Sequence, residues 1–294
     1  VHSWLLVSKY TSVKQLLYSF LLNSVSVYTQ KAKIKSIQLK KIPLYKGRDN
    51  SKILYISGVA QQLSKSHNFM TIEIADSIAS LLSATSSDVT NVKIVPPGWI
   101  YLEPTHPYLA TWLDHLAITC VGQDKKIETS ESLSQTPNSK TQNLSNLFAV
   151  QYAHARCCSL VLLAHREGLL KLTEASINSP GVWHLELPKS IPWLTDENQL
   201  RLHHPAERYL IVQLVQIVDD LVCSDANKTI NWQKAALELS LAFENFWSQC
   251  RIWGEVKIAS PELAQARLGL VMATRRLLEF LLIEKLGSFA PLEL

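Results

Sequence analysis

Glycine is scarce and scattered. Only nine of the 294 residues are glycine, and no two lie within three positions of each other. That excludes a G-x-G dinucleotide fingerprint and a P-loop, because both need closely spaced glycines to let backbone approach phosphate. Cysteine is sparse too. The five cysteines include no C-x-x-C pair, and the adjacent Cys157 and Cys158 would point about 100° apart on a helix. Buried free thiols in a reducing, cytoplasmic setting are expected rather than disulfides or a metal centre. His203 and His204 have no matched Cys or acidic partners at ligand spacing, so a surface loop is the simpler reading. No G-x-S-x-G elbow and no Cys–His pair with sequence support is present. No uninterrupted apolar run reaches the roughly 18 residues of a membrane span. The N-terminus has neither a basic flank nor a small-residue cleavage site, so no secretory signal is expected. No cofactor and no metal are expected.

One absence is positional. No acidic residue precedes Asp49, while Lys31, Lys33, Lys35, Lys40, Lys41, Lys46 and Arg48 crowd into the stretch before it. Residues 1–146 hold 15 Lys and Arg against 9 Asp and Glu, whereas residues 147–294 hold 14 against 16. Generic electrostatic attraction to RNA therefore favours the first half, with Lys33, Lys35, Lys40, Lys46 and Arg48 as phosphate contacts. The competing reading is an ordinary solvated face.

A length of 294 residues suits two packed domains, and a hydrophobic fraction of 47% with 18% charged residues describes a soluble globular protein. Residues 1–120 read as an α+β domain with a small sheet. A helix, or two short ones, is predicted over 4–28, a strand around Ile34 to Leu39, and a helix from Ile53 to Leu63. A further helix from Ile72 to Leu82 is predicted with Thr71 as N-cap. Then come a hairpin turning at Pro96-Pro97-Gly98 and a closing helix from Tyr108 to Ala117. Residues 121–146 are rich in Ser, Thr, Gln, Asn and Lys and read as a polar linker. A flexible linker of that length would leave the two domains orientationally free unless they pack.

Residues 147–294 read as an all-α bundle. Leu169 to Leu172 continues or restarts the first helix. Trp183, Leu185, Leu187 and Trp193 are expected to tuck an irregular segment onto the core. Pro205 and Pro261 sit at helix starts, Trp232 to Cys250 is amphipathic, and Gly287 stops the last helix. In the first helix, at 147–166, Tyr152, Arg156 and Ser159 share one face. An aromatic and a guanidinium four residues apart can stack on a base and hold a phosphate, or can simply brace the bundle.

The run Gln151-Tyr152-Ala153-His154-Ala155-Arg156 resembles the Q-Y-A-H-A-R that opens the anticodon-binding domain of arginyl-tRNA synthetases. Other elements of that domain follow in order. Pro205-Ala206-Glu207-Arg208-Tyr209-Leu210-Ile211 is similar to P-x-E-x-x-L-I, and Phe243-Glu244-Asn245-Phe246-Trp247 to F-N-x-F-Y. Gln265-Ala266-Arg267-Leu268 stands at the D-A-L-R element, and Ala273-Thr274-Arg275 at A-T-R. The first half resembles the family's N-terminal domain, with Pro97-Gly98-Trp99-Ile100-Tyr101 in place of G-P-G-F-I-N. Where the family carries its catalytic domain, only the polar linker stands, and neither H-I-G-H nor K-M-S-K-S occurs. The resemblance implies a protein that binds tRNA, of the arginine type, without charging it. It adds Trp247, Arg267, Arg275, Trp99 and Tyr101 to the RNA-binding candidates. Two alternatives stay open: a module for a protein partner on a repurposed face, and a regulator that titrates the synthetase's tRNA or partners. A membrane is not an expected partner, and oligomeric state is open.

Overall fold

The computed structural model describes residues 12–32, 42–49, 51–65, 70–118, 140–173, 183–223 and 229–294. The strand expected around Ile34 to Leu39, and Lys33, Lys35 and Lys40, lie outside the described residues. Helix α1 (Val13–Lys31) is capped by Ser12, whose hydroxyl accepts from the Gln15 N–H at 3.0 Å. Strands β1 (Tyr45–Lys46) and β2 (Tyr55–Ser57) follow, then α2 (Val59–Ser64) and α3 (Thr71–Ser86). The hairpin β3 (Thr90–Val95) and β4 (Trp99–Pro104) leads into α4 (His106–Ile118). The four strands form one antiparallel sheet in the order β1-β2-β4-β3.

Two local expectations fail here. The helix expected from Ile53 is a strand for its first part, and only Val59–Ser64 is helical. Tyr55 and Ser57 are buried while Ile56 is half-buried, the period-two alternation of a sheet residue run. Pairing with the long β4 decides the conformation, and Gly58 marks the change to helix. Thr71 is not an N-cap. It is the first helical residue, and its hydroxyl donates to Ser64 Oγ at 3.0 Å.

The second half begins with α5 (Lys140–Arg166), seven residues before Leu147. Residues 140–146 contain no Pro or Gly, so nothing in the covalent chain stops the helix from extending backward. By length and composition alone, Ser145–Arg166 could cross a membrane, but more than half of it is buried within the fold. It packs against α7 (Trp232–Gln249) and α9 (Pro261–Phe280). After Gly168, at φ 72°, the chain forms a two-stranded ribbon of β5 (Lys171–Leu172) and β6 (Leu185–Leu187), not more helix. The second half is a helical bundle to which this one short ribbon is added. Trp183 and Trp193 are buried as expected, but Leu187 is exposed. Helix α6 (Pro205–Val222) starts with proline at its first position, as does α9. A short α8 (Glu255–Ala259) precedes α9, which ends in a π turn over Leu281–Lys285. Gly287 follows at φ 59°.

The halves are joined by packing as well as by chain. Helix α1 lies on α6, and α4 on α9, so buried residues of both halves form one continuous core. Asp219 of α6 is buried at this seam. Its carboxylate accepts from Ser12 Oγ at 2.8 Å, from the Lys14 N–H at 3.0 Å and from the Tyr55 hydroxyl. It therefore sits at the positive N-terminus of α1. Burial pushes this carboxyl up, against the hydrogen bonds that favour its ionised form. Trp193 Nε1 donates to Asp114 of α4 at 3.0 Å. The same indole presses on Gly269 of α9, where a Cβ would lie 2.6 Å from the ring. The orientational freedom that the linker alone would permit is removed by these contacts.

Candidate nucleic-acid interface

The six-residue run on α5 divides cleanly by face. Ala153 and Ala155 are buried in the bundle. Gln151 and His154 turn toward the C-terminal segment. Gln151 Nε2 donates to Phe289 O at 3.1 Å and to Ser288 Oγ at 3.3 Å. His154 Nδ1 lies 2.8 Å from Pro291 O. A carbonyl can only accept, so this nitrogen carries the proton and donates. Burial, aided by the Arg275 charge, pulls His154 down to about 4 against that hydrogen bond, so the ring is neutral at pH 7. Two motif residues thus strap the chain end to α5.

Tyr152 and Arg156 face outward. Tyr152 is 46% exposed. The exposed Arg156 guanidinium lies 5.0 Å above the Trp247 ring of α7, a cation–π contact. Trp253 meets Trp247 edge-on, with centroids 5.9 Å apart at 77°. Trp253 thus fixes the tryptophan that orients the arginine. Phe148, one turn before Tyr152, is 58% exposed, and Phe289 of the strapped tail is 69% exposed. The arrangement offers flat aromatic surface beside a held but solvent-facing guanidinium. That pair of features can stack a base and hold its phosphate. Ser159, on the same face, donates back to Ala155 O at 3.0 Å.

Other candidates fall elsewhere. Arg267 is a bundle brace. Its Nε donates to Glu207 Oε1 at 2.6 Å, and its Nη1 to Arg251 O. Glu207 is buried and also accepts from the His204 N–H at 2.8 Å, closing a capping box at the start of α6. Arg275 is only 4% exposed, stacks 4.4 Å from the Trp183 ring and pairs with Glu279 at 3.5 Å. Both arginines satisfy buried acids, so neither presents a charge to a ligand. Lys46 is half-buried at the seam and donates to Val212 O at 3.2 Å. Burial lowers its ammonium to about 8, partly offset by Asp219 and Asp220. It is a strut between the halves, not a phosphate contact. Arg48 is exposed. Trp99 is 37% exposed at the hairpin turn, and the half-buried Tyr101 lies opposite Lys93 and Ile56 in the sheet.

Sequence reasoning missed Phe148, Trp253 and the strap. Phe148 was accessible, since 148, 152 and 156 keep a four-residue step along one face. Trp253 and the strap carry no local signal, because their partners are distant in sequence.

Tyr152, Arg156, Trp247 and Trp253 lie in a stretch that matches a known domain. The DALR anticodon binding domain matches residues 150–283. The arginine–tRNA ligase of Synechococcus sp. (strain JA-3-3Ab) is 32% identical over 146 residues, covering 48% of this chain and 21% of the ligase. Those of Gloeobacter violaceus and Moorella thermoacetica are each 30% identical, over 159 and 154 residues, covering 51% and 52% of this chain and 24% and 23% of the ligases. The chain therefore spans less than a quarter of the length of these relatives. No solved structure matches it. Residues 150–283 thus match the DALR anticodon binding domain, and the chain is similar to arginine–tRNA ligases over about half its length.

Proposed function

We propose that the chain binds tRNA, of the arginine type, through the Tyr152–Arg156–Trp247 face and does not aminoacylate it. The observation that carries the reading is the placement of Arg156. It is oriented by an aromatic ring, remains in solvent, and stands one helical turn from an exposed tyrosine. An anion-binding group held in this way needs little reorganisation on binding. The absence of charging rests on sequence. The catalytic motifs of the resembling family do not occur, and residues 119–139 are all that separate α4 from α5. Without a site for ATP no adenylate forms, and binding energy alone cannot supply that chemistry.

Two measurements on the full chain test the reading. Titration of arginine-type and total tRNA at about 50 and 200 mM salt should give binding that weakens with salt. Arginine-dependent pyrophosphate–ATP exchange should stay at buffer background. No tRNA binding at the lower salt ends the proposal, as does exchange that persists after contaminating synthetase is removed. The exposed Phe148 and Phe289 favour a second reading, a protein partner on the same face. Loss of tRNA binding would bring that reading forward.

A further inference from the structure

A second feature lies away from the α5 face, at the seam between the halves. A cavity of about 140 Å³ opens between the turn before β2, the start of α4, the segment before α6 and α6 itself. Its floor is apolar and supplied by both halves: Leu109 from the first, Leu202 and Ile211 from the second, all buried. Its rim is basic. Lys52 and His106 come from the first half, and His203 and Arg208 from the second. The one acidic residue in the lining is Glu103. Asp49, whose charge also acts on Lys52, accepts at one carboxylate oxygen from the Ser51 backbone N–H at 2.8 Å and hydroxyl at 2.6 Å.

Arg208 in that rim is not explained by internal pairing. Among the described residues, Arg208 makes no side-chain hydrogen bond or ion pair, and neither it nor Lys52 is buried. This contrasts with Arg267 and Arg275, each held by an acid. The size is informative as well. An engineered apolar cavity of about 150 Å³ takes up benzene, so a hole of this volume accepts one six-membered ring. An apolar slot for one ring beneath a cationic rim suits a ligand with a flat ring joined to an anion.

We propose that this seam cavity binds a nucleoside phosphate, with a pyrimidine-sized ring on the apolar floor and the phosphate between Lys52 and Arg208. The chemistry is the same whether the nucleotide is free or is one unstacked residue of an RNA strand. Because the two cations belong to different halves, the ligand bridges them and stabilises their docking by linkage. The site shares no residue with the Tyr152 face and stands or falls separately from it.

The test uses the full chain, with uridine monophosphate as one probe and labelled tRNA as the other. The variants are Lys52→Glu, Arg208→Glu, the cavity-filling Ile211→Phe, and Lys171→Glu as a control for general charge on an exposed lysine of the second half. Removing one charge-assisted contact should weaken binding about tenfold or more. If the nucleotide is taken free, uridine monophosphate raises the melting temperature, and Lys52→Glu and Arg208→Glu each weaken it to that extent. Tyr152→Ala then leaves uridine monophosphate affinity unchanged. If the nucleotide belongs to a strand, the monophosphate does not bind, and both charge reversals weaken tRNA about tenfold beyond Lys171→Glu. The proposal is overturned if both reversals stay within twofold of wild type for both probes, if they match the control, or if neither probe binds. Should Ile211→Phe fail to fold, the exposed-residue variants still decide. Failure of tRNA binding alone removes the anticodon-face reading and leaves the monophosphate arm to judge the cavity.

Discussion

The outer face of α5 and the seam between the halves both gather charge, and they use it in opposite ways. On α5, Arg156 is held by the Trp247 ring, which orients the guanidinium without neutralising it. At the seam, Asp219 is surrounded by three donors, and Lys46 ends on the Val212 carbonyl. A charge taken out of water must be satisfied within the protein, and one so satisfied has nothing left to offer a ligand. The difference teaches that burial and partner type, not residue type, separate a solvent-facing cation from a structural one. Arg267 and Arg275 extend the lesson. Both lie in the stretch that matches the DALR anticodon binding domain, and both are paired with Glu207 and Glu279.

The comparison breaks most visibly at the seam. Asp219→Ala removes the acceptor of the buried Tyr55 and Ser12 hydroxyls and of the part-buried Lys14 N–H, leaving Ser12 only Cys223 Sγ at 3.4 Å; a buried donor costs about 1–3 kcal/mol when unmet. A loss of about 3 kcal/mol or more is expected in denaturant unfolding. A first half that stays as protease-resistant as wild type would show that the seam is held by apolar packing alone.

The next largest effect is at the strap. His154 is neutral in the fold, with its folded value near 4 against about 6.5 unfolded. A depressed folded value contributes stability that is present above about pH 6.5 and lost as pH falls toward 4. At about 1.4 kcal/mol per pH unit the loss amounts to about 3 kcal/mol. Wild type should therefore lose more stability than His154→Gln between pH 7 and pH 4. Parallel curves for the two proteins would remove the strap from the acid response.

On the outer face, Tyr152→Ala should weaken tRNA about 5- to 150-fold, the range for loss of one stacked base. Its melting temperature should stay near wild type, because the ring is half in solvent. An unfolded variant, or one with unchanged affinity, would assign Tyr152 to bracing.

Much of the fold was legible because the signals are local. Pro205 and Pro261 open helices, the hairpin turns at Pro96-Pro97-Gly98, and Trp232 starts an amphipathic helix. Tyr55 to Ser57 misled because three residues are too few to reveal period two, and the apolar residues around them also fit a helix. The strand exists because β4 lies beside it, a pairing across some 45 positions that no window contains. The site was half legible. The four-residue step placed Tyr152 and Arg156 on one face, but the same kind of step says nothing of depth. Arg156, Arg267 and Arg275 look alike on paper, and only the fold sets one in solvent and two among acids. Lys46 looks, among its basic neighbours, like a phosphate contact, because its link to Val212 of α6 is invisible in the chain.

The smallest effect is also the most direct test. Salt titrations of tRNA binding should be run side by side for Arg156→Ala and Lys46→Ala. Arg156→Ala should lower affinity and flatten the salt dependence by about one unit, with its melting point kept. Lys46→Ala should leave both affinity and slope at wild-type values while lowering stability, because its ammonium is spent on the seam. If Lys46→Ala weakens tRNA as much as Arg156→Ala does, or if Arg156→Ala changes neither affinity nor slope, the division between a ligand-facing helix and a structural seam is wrong.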